Sequence, residues 1–152
     1  MRFFTDDKYQ RGASHAEYAE YWRDNLDRMP AVALQVSAGM LPADMFAETN
    51  HTVELHDTRI ISTGVSDGQL SIILCANKNG ESQTIEMLYA CSGFEIPEIP
   101  PALLEDMPHC DLMCHEFHSE HNYYVHQILF ANGIELTIQF HDLGVYLTPI
   151  AT

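Results

Sequence analysis

Asn132-Gly133-Ile134-Glu135-Leu136-Thr137-Ile138-Gln139-Phe140 decides the fold of this chain. Ile134, Leu136, Ile138 and Phe140 alternate with Glu135, Thr137 and Gln139. A period of two sends the apolar set to one side of an extended strand, the pattern of a half-buried antiparallel strand. The Asn-Gly pair ahead of it suits the positive φ angles of a type I′ turn and predicts a tight hairpin. Asp67-Gly68 and Asn79-Gly80 carry the same signal between apolar β-formers. Strands are therefore expected at 58–65, 69–76 and 83–91, then at 110–117, 122–131, 134–140 and 144–148.

Upstream of about His51 the period is helical. Ser14-His15-Ala16-Glu17 spells a capping box, and Tyr18, Trp22, Leu26 and Met29, with Ala19 beside them, form one apolar stripe. Pro30 ends that pattern or opens a short helix through Val36, which Gly39 stops, and Pro42 can open a further turn. Between the strand sets, Pro97, Pro100, Pro101 and Pro108 exclude a central strand over 92–108, leaving room for a helical turn or two over Pro101 to Met107. Neither set has strands enough for a core of its own. The expectation is one α+β domain over 1–152: a helical part (1–50), a first strand set (51–91), a Pro-rich crossover (92–108) and a second strand set (109–150). Its N-terminal helices pack on a mostly antiparallel sheet of about six or seven strands.

At 152 residues the chain can bury one sizeable core. Its 22 Asp+Glu against 7 Lys+Arg give a net charge of −15, about one net negative charge per ~500 Å² of a surface this size. Such a field repels nucleic acid and anionic membranes and attracts basic partners. If the charge serves recognition, the candidates for a concentrated acidic face are the first helix (Glu17, Glu20, Asp24, Asp27) and the crossover (Glu95, Glu98, Glu105, Asp106); spread evenly, it does no more than keep the protein soluble. Apolar runs break within a few residues and Asp6-Asp7-Lys8 interrupts the start, so neither a membrane span nor a signal peptide is expected. The reading is a cytoplasmic protein whose four cysteines are free thiols, with the Asn50-His51-Thr52 sequon idle.

The opening Met1-Arg2-Phe3-Phe4-Thr5, the segment Leu55-His56-Asp57, and the stretch from Val125-His126-Gln127-Ile128-Leu129 to Phe140-His141-Asp142-Leu143 resemble a family of small bacterial proteins beginning M-(K/R)-(F/Y)-F-T. The resemblance implies a bacterial source and no particular chemistry.

The densest cluster of reactive side chains is Cys110, Cys114, His115, His118, His121 and His126, with His109, Asp111, Glu116 and Glu120 beside them. Thiolate and imidazole suit zinc. On a strand, however, Cys110 and Cys114 stand about 13 Å apart, far beyond the ~4 Å between sulfurs that share one ion. They are expected unligated, flanking Leu112 in a core-facing row. His115-Glu116-Phe117-His118 misses the H-E-x-x-H signature, because position 119 is Ser119. A hairpin tip gathering His115, His118 and His121 is the remaining metal alternative.

There is no G-x-S-x-G, P-loop, G-x-G-x-x-G or C-x-x-C motif. Cys91 has no basic neighbour to activate it, and the lone Trp22 reads as core. The pairs His56-Asp57 and His141-Asp142 should point to opposite strand faces. No catalytic residue and no cofactor is assigned. The reading is a non-enzymatic acidic module binding a basic protein, in the manner of an immunity or antitoxin protein that neutralises a cationic toxin. A small hydrolase or metal-dependent enzyme using the histidine-rich hairpin over 109–126 is the alternative, and a scaffold with no small-molecule ligand a third. The sequence does not fix the oligomeric state.

Overall fold

A computed structural model of the protein describes residues 1–47, 52–78 and 81–150. The sequon and the Asn79-Gly80 turn lie outside the described residues. Three short helices come first: α1 (Asp6–Gln10), α2 (Ser14–Asn25) and α3 (Ala31–Gln35). Seven strands follow: β1 (Arg59–Ser66), β2 (Gln69–Lys78), β3 (Glu81–Ala90), β4 (Leu112–Ser119), β5 (Tyr124–Phe130), β6 (Glu135–Phe140) and β7 (Asp142–Pro149). Every pairing is antiparallel, giving the expected α+β class and strand number.

The strands divide between two sheets. The first has the order β1-β2-β3-β7 and the second β4-β5-β6. The last strand leaves its sequence neighbours because His141 alone separates β6 from β7, and its amide donates to the Ala90 carbonyl at 2.8 Å. A chain that turns this corner carries the hairpin of one sheet into the edge of the other, as strands do where two packed sheets join.

The two turns solve the same problem differently. At Asp67-Gly68 both residues take positive φ, 52° and 75°, directly between the paired Ser66 and Gln69. That is the type I′ geometry the sequence suggests. At Asn132-Gly133 only the glycine is left-handed, at φ 87°. Phe130 and Ile134 bracket a three-residue loop: Gly133 N–H donates to the Phe130 carbonyl and Phe130 N–H to the Ile134 carbonyl, each at 2.9 Å. Asn132 instead accepts the Ile134 amide on its side chain at 3.1 Å, which removes the need for positive φ. Leu136, Ile138 and Phe140 are buried as the alternation requires, and Ile134, at the mouth of the loop, is half-buried.

Tyr18, Ala19, Trp22 and Met29 are buried, but Leu26 is half exposed. Helix α2 stops at Asn25 and a 3₁₀ turn over Leu26–Arg28 shifts the phase of the stripe. The capping box does not form. Gly12, at φ 70°, folds the chain back so that Ala13 becomes the N-cap residue, and Ser14 starts the helix. Glu17 pairs instead with Lys8 at 2.8 Å.

The helix does more than bury a stripe. β4 is an edge strand, and such an edge presents unpaired amides. Phe117 N–H donates to the Tyr18 hydroxyl at 2.6 Å and Ser119 N–H to the Tyr21 hydroxyl at 2.8 Å. Residues two apart on a strand edge thus meet residues three apart on a helix. The crossover forms two 3₁₀ turns, Pro101–Leu103 and Pro108–Cys110, each with proline in its first turn.

Candidate functional site

The histidines do not converge. His115 and His118 are three positions apart, so strand alternation places them on opposite faces of β4, and both are buried. His121 lies exposed in the turn after that strand. The hairpin alternative of His115, His118 and His121 is therefore not assembled.

His115 and His126 belong to a buried chain on the inner face. Tyr89 Oη lies 2.8 Å from His126 Nδ1, and His126 Nε2 lies 2.9 Å from His115 Nδ1. Satisfying most groups requires Tyr89 to donate to His126 and His126 to donate to His115, which leaves the His115 proton on Nε2. That atom has no hydrogen-bond partner among the described residues. The Val36 backbone favours a proton there without reaching bonding geometry. Burial pulls His115 down to about 4 and His126 well below its usual value, and burial pushes the Tyr89 hydroxyl up. All three groups are neutral at pH 7 and at most 1 % exposed. The chain joins the sheets and is closed to any substrate.

On the outer face, Glu116 is fully buried and accepts the amides of Arg2, Phe3 (3.0 Å) and Phe4 (3.1 Å), with His118 Nε2 at 2.9 Å. Burial alone would raise this carboxyl, but the donors outweigh it and hold it below its usual range. The Phe3 ring stacks on His118, 5.9 Å between centroids. The carboxylate fastens the N-terminal segment across the sheet.

All four cysteines are unpaired. Cys110 and Cys114 do not form the expected row beside Leu112. Cys110 sits in the 3₁₀ turn before β4, and a bulge between Leu112 and Cys114 turns Cys114 to the other face. Cys114 lines a cleft of about 390 Å³ with Phe4, His15, Met40, Glu54 and His56. Burial first, then Glu116 and Glu135, push its thiol up to about 11, so it is no nucleophile at neutral pH. Burial likewise raises Cys91, and Trp22 is core.

His56 and Asp57 depart from expectation. Asp57 has φ 64°, and this left-handed kink brings its carboxylate to 3.1 Å from His56 Nδ1. The pair is solvent-exposed on the aspartate side. His141 behaves as expected, bonding the Ser92 carbonyl at 2.9 Å in place of Asp142.

The arrangement best suited to binding lies where β1 meets the crossover. A cleft of about 540 Å³ is lined by Asp57, Arg59, Ile60, Ile61, Cys75, Asn77, Leu104, Glu105, Asp106 and Asp111. β1 is an edge strand of the first sheet, and at the bulge between Ile60 and Ser62 the Ile61 side chain is 54 % exposed. Leu104 is 46 % exposed. Arg59 donates from Nε to Asp111 Oδ1 at 2.8 Å, places Nη2 2.7 Å from the same oxygen, and reaches Asp106 with Nη1. Asp111 first, then Asp106, hold the guanidinium still more firmly protonated. Two carboxylates thus hold one cation, while Asp57 and Glu105 also line the cleft and two apolar side chains are exposed at it. Glu105 and Asp106 stood among the acidic residues of the crossover. Asp57 reads in the sequence only as a neighbour of His56 and Asp111 only as a neighbour of the Cys110 cluster, and Arg59, an arginine at the start of a strand in a base-poor chain, is not singled out.

Among the described residues no helix is long and apolar enough to cross a membrane. Comparisons of the chain with protein-family models, with curated proteins and with solved structures give no match.

Proposed function

We propose that the protein is a binding module whose acidic cleft beside β1 receives a basic segment of a protein partner. The observation that carries this reading is the composition of the cleft: Asp57, Glu105, Asp106 and Asp111 around the single Arg59, with Ile61 and Leu104 exposed at its wall. Arg59 neutralises one carboxylate's worth of charge, and the remainder attracts a cationic side chain to the mouth of the cleft, an attraction that salt screens. The two apolar side chains add contact area for the stem of a lysine or arginine. The net charge of −15 extends the same field outward and speeds encounter with a basic partner.

The test is titration of the protein with an arginine- and lysine-rich peptide at two salt concentrations. Affinity should fall on going from about 0.05 to 0.5 M salt, as the Debye length shrinks to a few ångströms. Asp57→Asn combined with Asp106→Asn should weaken binding about tenfold at low salt, since two exposed ion pairs at about 0.7 kcal/mol each sum to the ~1.4 kcal/mol of a tenfold change. Glu20→Gln combined with Asp24→Asn on α2 removes the same charge elsewhere and should change little. Equal losses from the two pairs would reduce the effect to general attraction and overturn the cleft as the site.

A further inference from the structure

The geometry points to a binding site for a zinc-class divalent ion formed by Glu105, His109 and Cys110. Their donor atoms all lie within 4.8 Å of one another, and no other three histidine, cysteine, aspartate or glutamate side chains converge so closely among the described residues. The site shares Glu105 with the acidic cleft, but it stands on the His109 and Cys110 geometry, and failure of basic-peptide binding would leave cobalt binding untouched.

Local sequence builds it. Pro108 starts the 3₁₀ turn over Pro108–Cys110, whose tight winding sends consecutive side chains to different sides. Cys110 turns inward and is fully buried, while His109 stays exposed on the rim. Glu105 is four residues before His109, and its Oε2 lies 3.2 Å from His109 Nε2. Tetrahedral zinc holds oxygen and nitrogen at about 2.0–2.2 Å and sulfur at about 2.3 Å, which places ligand atoms roughly 3.3–3.7 Å apart. The oxygen and nitrogen already stand near that separation. Closing the sulfur edges from at most 4.8 Å is a movement of about 1 Å, and Glu105 and His109 are the two exposed side chains that can make it. Cys110 Sγ lies 3.0 Å from the Ala102 carbonyl, so the thiol would exchange that contact for the metal and release its proton.

A thiolate, an imidazole and a carboxylate form a borderline-soft set, suited to zinc or cobalt(II) and poorly suited to magnesium or calcium. Three protein ligands leave the fourth position to water on the exposed side. An ordinary exposed Glu-His pair and an ordinary buried cysteine are each common. Their convergence within one ligand shell is the observation that makes a site. The ~13 Å separation of Cys110 from Cys114 belongs to a strand through 110–117, and Cys110 lies before the strand, which begins at Leu112.

The test is titration of chelator-treated full-length protein with cobalt(II), read in the ultraviolet and visible. One equivalent should bind with a thiolate-to-cobalt charge-transfer band, and zinc should displace it. Cys110→Ser should abolish the band, and Cys114→Ser should leave it intact. His109→Ala and Glu105→Gln, at exposed positions that leave the fold undisturbed, should each weaken binding by about tenfold or more. Affinity should fall as pH is lowered, because binding displaces the thiol proton. Absence of the band at saturating cobalt, or its persistence in Cys110→Ser, would overturn the proposal. So would binding that ignores both His109→Ala and Glu105→Gln, which would mark a lone thiol capturing the ion.

Discussion

The two sheets meet in one core but are built on different chemistry. The first sheet turns Ile60, Leu70, Ile72, Leu74, Ile85 and Met87 inward, with Tyr89 its single polar contribution. The second buries His115 and His126 on its inner face and Glu116 and His118 on its outer face, among Phe117, Phe130 and Phe140. Apolar burial is non-directional, and such a face tolerates exchange of one aliphatic residue for another of similar volume. Buried polar groups are different, because each requires a particular partner at a particular distance. The three-stranded sheet is thus the part whose register and N-terminal covering are individually specified. It is also the part through which pH acts on stability.

The largest expected effect follows from His115 and His126. Both fall below their unfolded values, His115 to about 4. Below pH ~6.5 the unfolded chain therefore binds protons that the folded chain does not. Their contribution is fully present above that pH and is lost as pH falls toward the folded values. His115 alone then loses about 3 kcal/mol by pH 4, at about 1.4 kcal/mol per unit. Chemical denaturation between pH 7 and 5 should give an uptake approaching two protons on unfolding. His115→Gln should reduce it to one. A pH-independent stability over this window would break the contrast between the sheets, since Ile85→Val in the first sheet should lower stability by about 1 kcal/mol equally at both pH values.

Glu116 is next. Its carboxylate holds three amides and His118 in a site closed to water, so Glu116→Gln leaves donors facing an amide that cannot accept all of them. Loss of a buried charged partner costs about 3 kcal/mol or more. Because its folded pKa lies below the usual carboxylate range, the wild-type contribution is complete above ~4.5 and disappears as pH drops through the folded value. The variant should therefore lose stability at pH 7 and show a weaker dependence below pH 4.5. Denaturant midpoints at the two pH values measure both effects.

The same contrast explains what the residues disclosed. Alternation such as Ile134 to Phe140 has one physical source, the pleat, and it located all seven strands to within a few residues. The division into two sheets was not legible, because it depends on His141 alone serving as a corner, and a single residue has no period. Tyr18 looks like part of an apolar stripe, and Tyr21 is not singled out, until the strand edge their hydroxyls cover is known. The acidic cleft joins Asp57 and Arg59 to residues some fifty positions later, a contact no local pattern encodes. Cys110 was misplaced for a related reason. A strand drawn two residues too early put it beside Leu112, when Pro108 already dictated a turn.

The smallest effects separate the two hairpins, one in each sheet. Gly68 and Gly133 both hold positive φ, 75° and 87°, where a side chain costs about 1–2 kcal/mol. A methyl group at Gly133 would meet nothing within 4 Å, whereas at Gly68 it would stand 2.8 Å from the Ser92 hydroxyl. Gly133→Ala should therefore lower stability by about 1 kcal/mol, through backbone strain alone. Gly68→Ala should lower it further, because Ser92 must also move, and Ser92→Gly in the same chain should recover that excess and no more. Denaturation of the three variants distinguishes the terms. If the two single glycine variants lose the same stability, contact with Ser92 contributes nothing and strain is the whole of both effects.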